Sequence, residues 1–313
     1  MRVLSLDPRK KGSKAAEGAG GSLKLEAGSM SSVEEANGVA VVSTWMKGPV
    51  ASLSLSHYLQ ELDRAGLTPL VVDASSFAEE IQWPHGLPED AVVFRRANVG
   101  YDFGSWAAAL HAYPQVATKD RVLLTNDSMV GPFSTMQAVF VEEQRSAADI
   151  FALADSYQGA HHAQSYFLLF RGGILADPPW AAFFQGVRQQ EDKEEVVAAY
   201  EFGVARVASA YGYSWEAMVP AGSLGLRDAN PTLSAWKRML DSGVPMVKRG
   251  ILTDPAHAVT AQAMADAVAT EFGENVEDWL PYGYRESLSG VMDGGRGNSH
   301  PQLLKVTNGS TDR

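Results

Sequence analysis

The stretch RVLLTNDSMVGPF, residues 121–133, places three polar residues directly after a short apolar run. Asn126, Asp127 and Ser128 offer an amide, a carboxylate and a hydroxyl in a row, and a Gly-Pro pair then turns the chain away. Such a cluster at the end of a buried strand suits a ligand that carries hydroxyl or phosphate groups. The same residue types also form turns and helix caps, so one cluster alone does not define a site.

Similar polar clusters follow two other apolar runs. Asp73 follows the apolar run in TPLVVDASS, and Asp155 and Ser156 follow the apolar run in DIFALADS. In open α/β sheets, ligands bind in the crevice outside the carboxyl ends of the strands. Three polar clusters at one edge of one sheet therefore predict a binding crevice.

The elements that must position these clusters alternate along the chain. Short apolar runs predict strands over residues 39–45, 68–76, 92–94, 121–127, 149–156 and 164–171. Helical spacing predicts helices over residues 52–66, from the YDFGSW motif to residue 111, over residues 135–145 and over residues 193–213. Strands that alternate with helices predict an α/β domain with a largely parallel sheet.

The composition excludes several classes of protein. The 313 residues carry a formal net charge of −11, 45% are hydrophobic, and none is cysteine. Disulfides, thiolate zinc sites and cysteine nucleophiles are therefore excluded together. The acidic balance disfavours nucleic acid as a partner. No apolar run approaches the ~20 residues of a membrane helix, and no signal peptide is evident, so we expect a cytoplasmic protein.

Both ends differ in composition from the rest of the chain. Residues 1–37 are rich in Gly, Ser, Ala and charged residues, which predicts a disordered arm, and residues 286–313 are predicted to form a disordered tail. Six of the first 24 residues are Lys or Arg, so the arm could touch an anionic membrane surface, although a solvated tail is the simpler interpretation. The working domain is then 38–285.

Several nucleotide-binding and hydrolytic motifs are missing. The chain has no G-x-G-x-x-G after its first strand, no Walker P-loop, no G-x-S-x-G elbow and no H-E-x-x-H pair. A glycine-rich loop with a basic residue, expected of a nucleotidyltransferase, is also missing. The remaining possibility is a crevice that handles a nucleotide without such a loop, as in glycosyltransferases of the GT-A type. We therefore expect a GT-A-like, Rossmann-like sheet flanked by helices, with a helical C-terminal part.

Five segments, in this order, resemble the rhamnan synthesis F family: RRANVGYDFGSWAAAL, VLLTNDSMVGPF, ADSYQGAHHAQSYFLLFR, AAYEFGVARVASAYGY and NPTLSAWKRMLDSGVPMVKRGIL. The resemblance covers residues 39–254. It implies a bacterial glycosyltransferase that moves rhamnose or a related sugar from a nucleoside diphosphate, dTDP-rhamnose being favoured, to a lipid-linked glycan. The alternatives are a non-catalytic module that binds glycan or partner enzymes, and a nucleotidyltransferase.

The resemblance also implies a donor half over about residues 38–150 and an acceptor half over about residues 151–285. Residues expected to contact the sugar nucleotide are Asp73, Arg96, Asn98, Gly100, Asp102, Asn126, Asp127, Ser128, His162, Gln164 and Lys248. Asp127 is expected to bind the diphosphate or a Mg²⁺ or Mn²⁺ ion. Because Asn-Asp-Ser replaces the usual Asp-x-Asp, metal dependence stays open, although Mg²⁺ often uses one or two carboxylates plus substrate phosphates.

An inverting transfer needs a general base for the acceptor hydroxyl. Asp155, at the end of its predicted strand, is one candidate. Glu201 is the other, because helical spacing places it on the apolar face beside Val197 and Val204. Burial of a carboxylate there would raise its pKa, which suits a base. A structural pairing of Glu201 with an Arg or Lys is the alternative.

Overall fold

A computed structural model of the chain describes residues 12–17, 21–190 and 193–284. Its strands are β1 (Lys24–Ala27), β2 (Gly38–Thr44), β3 (Thr68–Asp73), β4 (Val92–Arg95), β5 (Arg121–Asn126), β6 (Met129–Val130), β7 (Ile150–Ser156), β8 (His162–Ala163), β9 (Phe167–Arg171), β10 (Trp215–Val219) and β11 (Val247–Lys248). The central sheet has the order β1-β4-β3-β2-β5-β9-β7-β10, and β8 pairs with β7 beside this path. Strands β6 and β11 form a separate antiparallel pair.

The central sheet is mostly parallel. Strands β4, β3, β2 and β5 run in one direction. Strand β9 is antiparallel to both β5 and β7, so β7 shares the direction of β5, and β10 is parallel to β7. Only β1 and β9 run the opposite way among the strands on this path. The carboxyl ends of β3, β5 and β7 therefore lie at one edge, as predicted from their polar clusters.

Helices cover both faces of the sheet. They are α1 (Met30–Glu35), α2 (Leu53–Arg64), α3 (Tyr101–Ala112), α4 (Gln137–Arg145), α5 (Pro178–Gln185), α6 (Lys193–Val196), α7 (Phe202–Tyr211), α8 (Pro231–Ser234), α9 (Trp236–Asp241), α10 (Arg249–Thr253), α11 (Ala258–Phe272) and α12 (Val276–Trp279). A π-helical turn, Val197–Glu201, joins α6 to α7. None of the helices in the described part of the chain has the length and apolar character needed to cross a membrane.

Alternating side chains of the central strands feed two hydrophobic cores. Val122 and Leu124 of β5 pack in the core that contains Trp106 of α3, whereas Leu123 packs in the core that contains Leu59 of α2. This period of two is what a strand buried on both faces requires. Trp106 is fully buried, and its indole N–H donates to the Thr125 carbonyl at 3.0 Å, which fixes α3 against β5.

The C-terminal helices form a third core over the β6–β11 pair. Val130 and Val247, from these two strands, pack with Met264 of α11 and Trp279 of α12. The predicted helical C-terminal part is therefore present. It carries β11 to the carboxyl edge of the central sheet, where Lys248 pairs with Met129.

The prediction that residues 1–37 are disordered was wrong for β1 and α1. Strand β1 pairs with β4, with Lys24 opposite Arg95, and Val33 of α1 is fully buried. Composition missed these elements because a short strand is stabilised by its pairing with a distant edge, which leaves no local periodicity. Residues 1–11 and 18–20 of the predicted arm and the whole predicted tail, residues 286–313, lie outside the described residues.

Candidate active site

A cleft of about 730 Å³ opens at the carboxyl edge of the central sheet. It is lined by residues from the end of β5, the start of α3, strand β8, the π turn, and the segment around β11. Seven of the predicted site residues line it together: Asp102, Asn126, Ser128, His162, Gln164, Glu201 and Lys248. These seven come from both predicted halves of the domain, although that division into halves stays a prediction.

One wall of the cleft is a chain of hydrogen bonds through the Asn-Asp-Ser motif. The Asn126 side-chain amide donates to Asp102 Oδ2 at 2.9 Å, and its carbonyl oxygen accepts from the Ser128 backbone N–H at 3.1 Å. Lys248 Nζ donates to Ser128 Oγ at 2.9 Å. The motif thus fixes one carboxylate and one ammonium group on the same wall.

The start of α3 depends on two glycines of the GYDFG segment. Gly100 has φ +85°, and Tyr101 follows at φ +54°, a conformation that non-glycine residues rarely adopt. A Cβ on Gly104 would lie 2.0 Å from the Val99 carbonyl oxygen, so only glycine fits there. This tight entry places Asp102 in the first helical turn, where the helix dipole favours a negative charge.

Asp127 points away from the cleft and contacts Arg249. Its Oδ2 accepts from Thr44 Oγ1 at 2.8 Å and lies 3.3 Å from Arg249 Nη1, which also donates to the Asp127 carbonyl at 2.8 Å. Arg249 Nη2 lies 3.4 Å from the other carboxylate oxygen. Asp127 therefore lines a separate small cavity behind the cleft, together with Asn126 and Arg249.

These contacts bear on the predicted metal site. Both oxygens of the Asp127 carboxylate already face a guanidinium, which occupies the position that a cation would take. Within the described residues, no group of three His, Cys, Asp or Glu side chains is placed to hold a metal ion. The donor set around Asp127 therefore does not fit Mg²⁺ or Mn²⁺ well, and metal dependence stays a prediction for measurement.

Another part of the cleft lining carries Glu201, which lies at the end of the π turn. Ser165 Oγ donates to Glu201 Oε1 at 2.6 Å, and His162 Nε2 lies 3.6 Å from Oε2. The His162 Nδ1 atom lies 2.7 Å from the Ala160 carbonyl oxygen. Because a carbonyl only accepts, Nδ1 must carry a proton, so the Nε2 of a neutral ring presents its lone pair to Glu201.

The environment of Glu201 differs from both expectations for it. The sequence predicts a pairing of Glu201 with an Arg or a Lys. In the structure, the Glu201 carboxylate instead lies next to Ser165 and His162. The side chain is 21% exposed rather than fully buried, and it faces the cleft. A π turn replaces the regular helix at this position, which is a common feature of functional sites. The carboxylate is thus both oriented and accessible.

Gln164 lies deep in the cleft. The residue is 6% exposed, and its Oε1 atom is buried without a hydrogen-bond partner among the described residues. A buried acceptor without a partner costs free energy, so such atoms are rare in folded proteins. The Gln164 residue lines the cleft, and its Oε1 atom is shielded from solvent in this side-chain conformation.

Asp155 does not line the cleft, contrary to its prediction as a candidate base. The residue is buried, and its carboxylate accepts from the Ala221 backbone N–H and lies 2.7 Å from His161 Nε2. Both carboxylate oxygens therefore have partners inside the protein. Strand β7 ends at the expected edge, but the side chain of Asp155 holds neighbouring loops together.

Asp73 and Arg96 are also buried away from the cleft. Asp73 accepts from the hydroxyl and the N–H of Ser75, and burial raises the pKa of this carboxyl to about 6. Arg96 donates to Ser105 Oγ and to the Val99 and Ala15 carbonyls, and burial lowers the pKa of its guanidinium to about 10. The guanidinium of Arg96 holds the loop before α3, and its expected approach to phosphates stays a prediction.

The remaining two predicted residues belong to that same loop. Asn98 is exposed, and Gly100 precedes the first residue of α3. Neither lines the cleft, so their expected contacts with a nucleotide stay predictions. Gly100 is a backbone requirement of the loop, since an added Cβ would lie 3.1 Å from the Ala15 side chain at φ +85°.

Two important residues were not predicted as site residues. Ser165 orients Glu201 from the connection between β8 and β9, where a lone serine gives no recognisable pattern. Arg249 holds the Asp127 carboxylate across 122 positions of sequence. Its position directly after Lys248, next to a predicted cationic residue, was the one available signal.

Comparison with known proteins places this geometry in a family. The chain matches the family described as Rhamnan synthesis protein F over residues 78–277, which is more than half of its length and includes nearly all of the cleft. The virulence protein VirA of Vibrio anguillarum is 26% identical over 195 residues, which cover 52% of this chain and 62% of VirA. The uncharacterised protein y4gN of Sinorhizobium fredii is 24% identical over 127 residues, which cover 39% of this chain and 33% of that protein.

The match to VirA thus spans about three-fifths of that relative's length. The family match covers the start of α3, the Asn-Asp-Ser motif, Glu201 and Lys248 together. The chain belongs to the rhamnan synthesis protein F family, which is associated with polysaccharide synthesis.

Proposed function

We propose that the chain is a GT-A-like glycosyltransferase that moves a sugar from a nucleoside diphosphate to a bacterial cell-surface polysaccharide. The observation that carries this proposal is one cleft with two different walls. The first wall presents the Lys248 ammonium and the amide of Asn126, and another part of the lining presents the Glu201 carboxylate. A transfer reaction needs positive charge for a leaving diphosphate and a base for the acceptor, and the cleft offers both.

The donor side of the proposal rests on the first wall. A diphosphate placed near Ser128 would meet the Lys248 ammonium and hydroxyl and amide donors. The favoured donor is dTDP-rhamnose, and the favoured acceptor is a lipid-linked glycan at the cytoplasmic face of the membrane, with the protein peripherally attached or free. These finer identities follow from the family and not from any contact in the cleft.

The reaction can be written with this chain's own residues. The acceptor hydroxyl oxygen attacks the anomeric carbon and forms the new glycosidic bond, while its proton passes to the Glu201 carboxylate. The bond from the anomeric carbon to the diphosphate oxygen breaks, and its electron pair leaves with the nucleoside diphosphate next to Lys248. Ser165 keeps the carboxylate in place throughout, and His162 Nε2 lies close enough to share the proton after a small movement.

Gln164 and an apolar surface suit the sugar itself. A rotation of the Gln164 side chain would bring its unpartnered Oε1 to the cleft surface, where it can accept a hydrogen bond from a sugar hydroxyl. Val197, Phe202 and Leu233 line the same cleft and offer apolar contacts for the carbon face of a ring. A site with few placed polar groups on an apolar background is typical of small-molecule pockets.

The test is a transfer assay that is preceded by a binding screen. UDP-, GDP- and dTDP-linked sugars are added to the full chain, and thermal unfolding is measured for each. Binding at 100 times the Kd stabilises a protein by about 2.7 kcal/mol, which is readily seen as a rise in Tm. The donor that raises Tm is then supplied with lipid-linked glycan, and release of nucleoside diphosphate is measured. A folded protein that no donor stabilises would contradict the proposal.

A second candidate is a non-catalytic module that binds glycan or partner enzymes. The observation that favours it is the Asp127–Arg249 ion pair, which occupies the carboxylate that transferases of this type use for metal. Such a module would bind glycan without releasing nucleoside diphosphate. Binding of acceptor glycan by a protein that shows no turnover with any donor would support it.

A further inference from the structure

We infer that Lys248, positioned by the Asn-Asp-Ser motif, supplies the positive charge for the donor diphosphate, so that donor binding requires no divalent metal ion. This inference rests on the proposed function and deepens it at the same cleft. It assigns Asp127 a new role, which is to anchor Arg249 and through it the segment that carries Lys248.

The Asp127 carboxylate already has partners inside the protein. Its oxygens accept from Thr44 and face both terminal nitrogens of Arg249, whose side chain is 16% exposed. A metal ion bound to Asp127 would have to displace a partly buried guanidinium, and the freed charge would then lie beside the ion. Two cations at one carboxylate repel each other strongly at such short range.

The backbone around Lys248 is attached to the Asn-Asp-Ser motif. Strands β6 and β11 pair with Lys248 opposite Met129, and the Arg249 N–H donates to the Ser128 carbonyl at 3.1 Å. Arg249 Nη1 adds a bond to the Asp127 carbonyl at 2.8 Å. Arg249, the residue directly after Lys248, is thus fixed to two consecutive residues of the motif, Asp127 and Ser128.

The two neighbouring cationic side chains, Lys248 and Arg249, point in different directions. Arg249 turns behind the cleft towards Asp127, whereas Lys248 lines the cleft and donates to Ser128 Oγ at 2.9 Å. Of the described residues that line the cleft, Lys248 alone is a Lys or an Arg. An ammonium group is an effective ligand for phosphate as a point charge. The motif therefore delivers a cation to the cleft without a metal ion, on the same wall as the Asp102 carboxylate that Asn126 holds.

The experiment measures binding directly, by calorimetry on the full chain. The probes are dTDP, UDP and GDP, each titrated in excess EDTA and again with MnCl₂. The variants are Lys248→Met, Lys248→Arg and, as a matched control, Lys237→Met. Lys237 is an exposed lysine of α9 that pairs with Asp241 and Glu271. The Tm of each variant shows that it is folded.

We expect at least one nucleotide to bind in EDTA, with a Kd that MnCl₂ changes by less than about threefold. Lys248→Met should weaken binding by about tenfold or more, since a charge-assisted contact to phosphate is lost. Lys248→Arg should retain most of the affinity, and Lys237→Met should bind as the unaltered protein does.

Binding that appears only with MnCl₂, or that Lys248→Met leaves unchanged, would overturn the inference while the proposed sugar-nucleotide function stands. Another result would overturn the proposed function and not only the inference about Lys248. If folded protein binds none of the three nucleotides with or without MnCl₂, the proposed function itself is overturned, and the inference with it.

Discussion

Ser165 Oγ lies 2.6 Å from Glu201 Oε1, so a residue between β8 and β9 fixes the carboxylate at the end of the π turn. The other oxygen of that carboxylate faces His162 at 3.6 Å. One oxygen of the carboxylate is therefore held by a hydrogen bond from the connection between β8 and β9. A group held in this way is a suitable base, because its orientation does not have to be established during the reaction.

Glu201→Gln should abolish transfer and preserve donor binding. Glutamine keeps an oxygen that can accept from Ser165, but it cannot take the acceptor proton, so we expect turnover to fall by about 10²–10⁴-fold. Release of nucleoside diphosphate and donor Kd are measured on the same preparation. Glu142→Gln, at an exposed position of α4, is the control. Full turnover in Glu201→Gln would exclude Glu201 as the base.

Asp155→Asn should affect stability rather than chemistry. The change weakens the contacts of the buried carboxylate with the Ala221 N–H and His161, so we expect a loss of about 1–3 kcal/mol in the free energy of unfolding. Turnover per folded molecule should be nearly unchanged. Chemical denaturation and transfer rate are compared at one temperature. A variant with unaltered stability and no turnover would return Asp155 to the list of candidate bases.

Gln164→Met should separate binding from folding. Because Oε1 has no partner in the protein, an apolar side chain of similar size should change the free energy of unfolding by less than about 1 kcal/mol. The same change removes the acceptor for a sugar hydroxyl, so the KM for the donor sugar should rise by about tenfold. Affinity for the free nucleoside diphosphate should not change. A loss of both affinities together would indicate that Gln164 acts on the nucleotide instead.

The free energy of unfolding should fall as the pH rises through the range in which the Asp73 carboxyl loses its proton. Burial raises the pKa of this carboxyl to about 6, whereas it titrates near 3.9 in the unfolded chain. Between these values the folded state binds more protons, so the free energy of unfolding decreases by at most about 3 kcal/mol as pH rises, and the effect is complete above pH 6.

Asp73→Asn removes this titration and isolates its contribution. The variant should gain stability relative to the unaltered protein as pH rises from about 4 to about 7. Urea denaturation at a series of pH values measures the difference. A difference that does not depend on pH would show that Asp73 is ionised in the folded state throughout this range.

Gly104→Ala should destabilise the start of α3. The added Cβ would lie 2.0 Å from the Val99 carbonyl oxygen, and backbone must shift to accept it, so we expect a loss of about 1–3 kcal/mol. Gly222→Ala is the matched control, because no atom lies within 4 Å of its added Cβ, and its effect should stay within about 0.5 kcal/mol. Equal effects of the two changes, measured by thermal unfolding, would refute this account.

The central strands could be predicted because each is buried on both faces. The apolar runs that predicted β2, β5 and β7 have every or nearly every residue buried in the structure. The same rule fails at the sheet edges. Strand β10 alternates between buried and partly exposed residues, and β1 has no buried residue, so neither produces a continuous apolar run.

From the sequence, only the edge of the sheet at which the candidate site lies could be predicted. The polar clusters mark the correct edge of the sheet, since strand direction follows from the alternation of elements. The direction of each side chain does not follow from it. Asp127 turns to Arg249 and Asp155 to His161, and these partners depend on loops whose geometry is set by distant packing. The sequence therefore predicts which residue types gather at the edge but not which of them face a ligand.

The pairing of β1 with β4 protects the protein from aggregation in a concentrated solution. Without β1, the backbone N–H and C=O groups of β4 would form an open sheet edge, which is a template for pairing with other chains. Strand β1 presents its own outer edge with the exposed Lys24, a charged residue that discourages further pairing. Proteolysis before Gly28 would thus leave the cleft residues in place and expose the β4 edge to pairing with other chains.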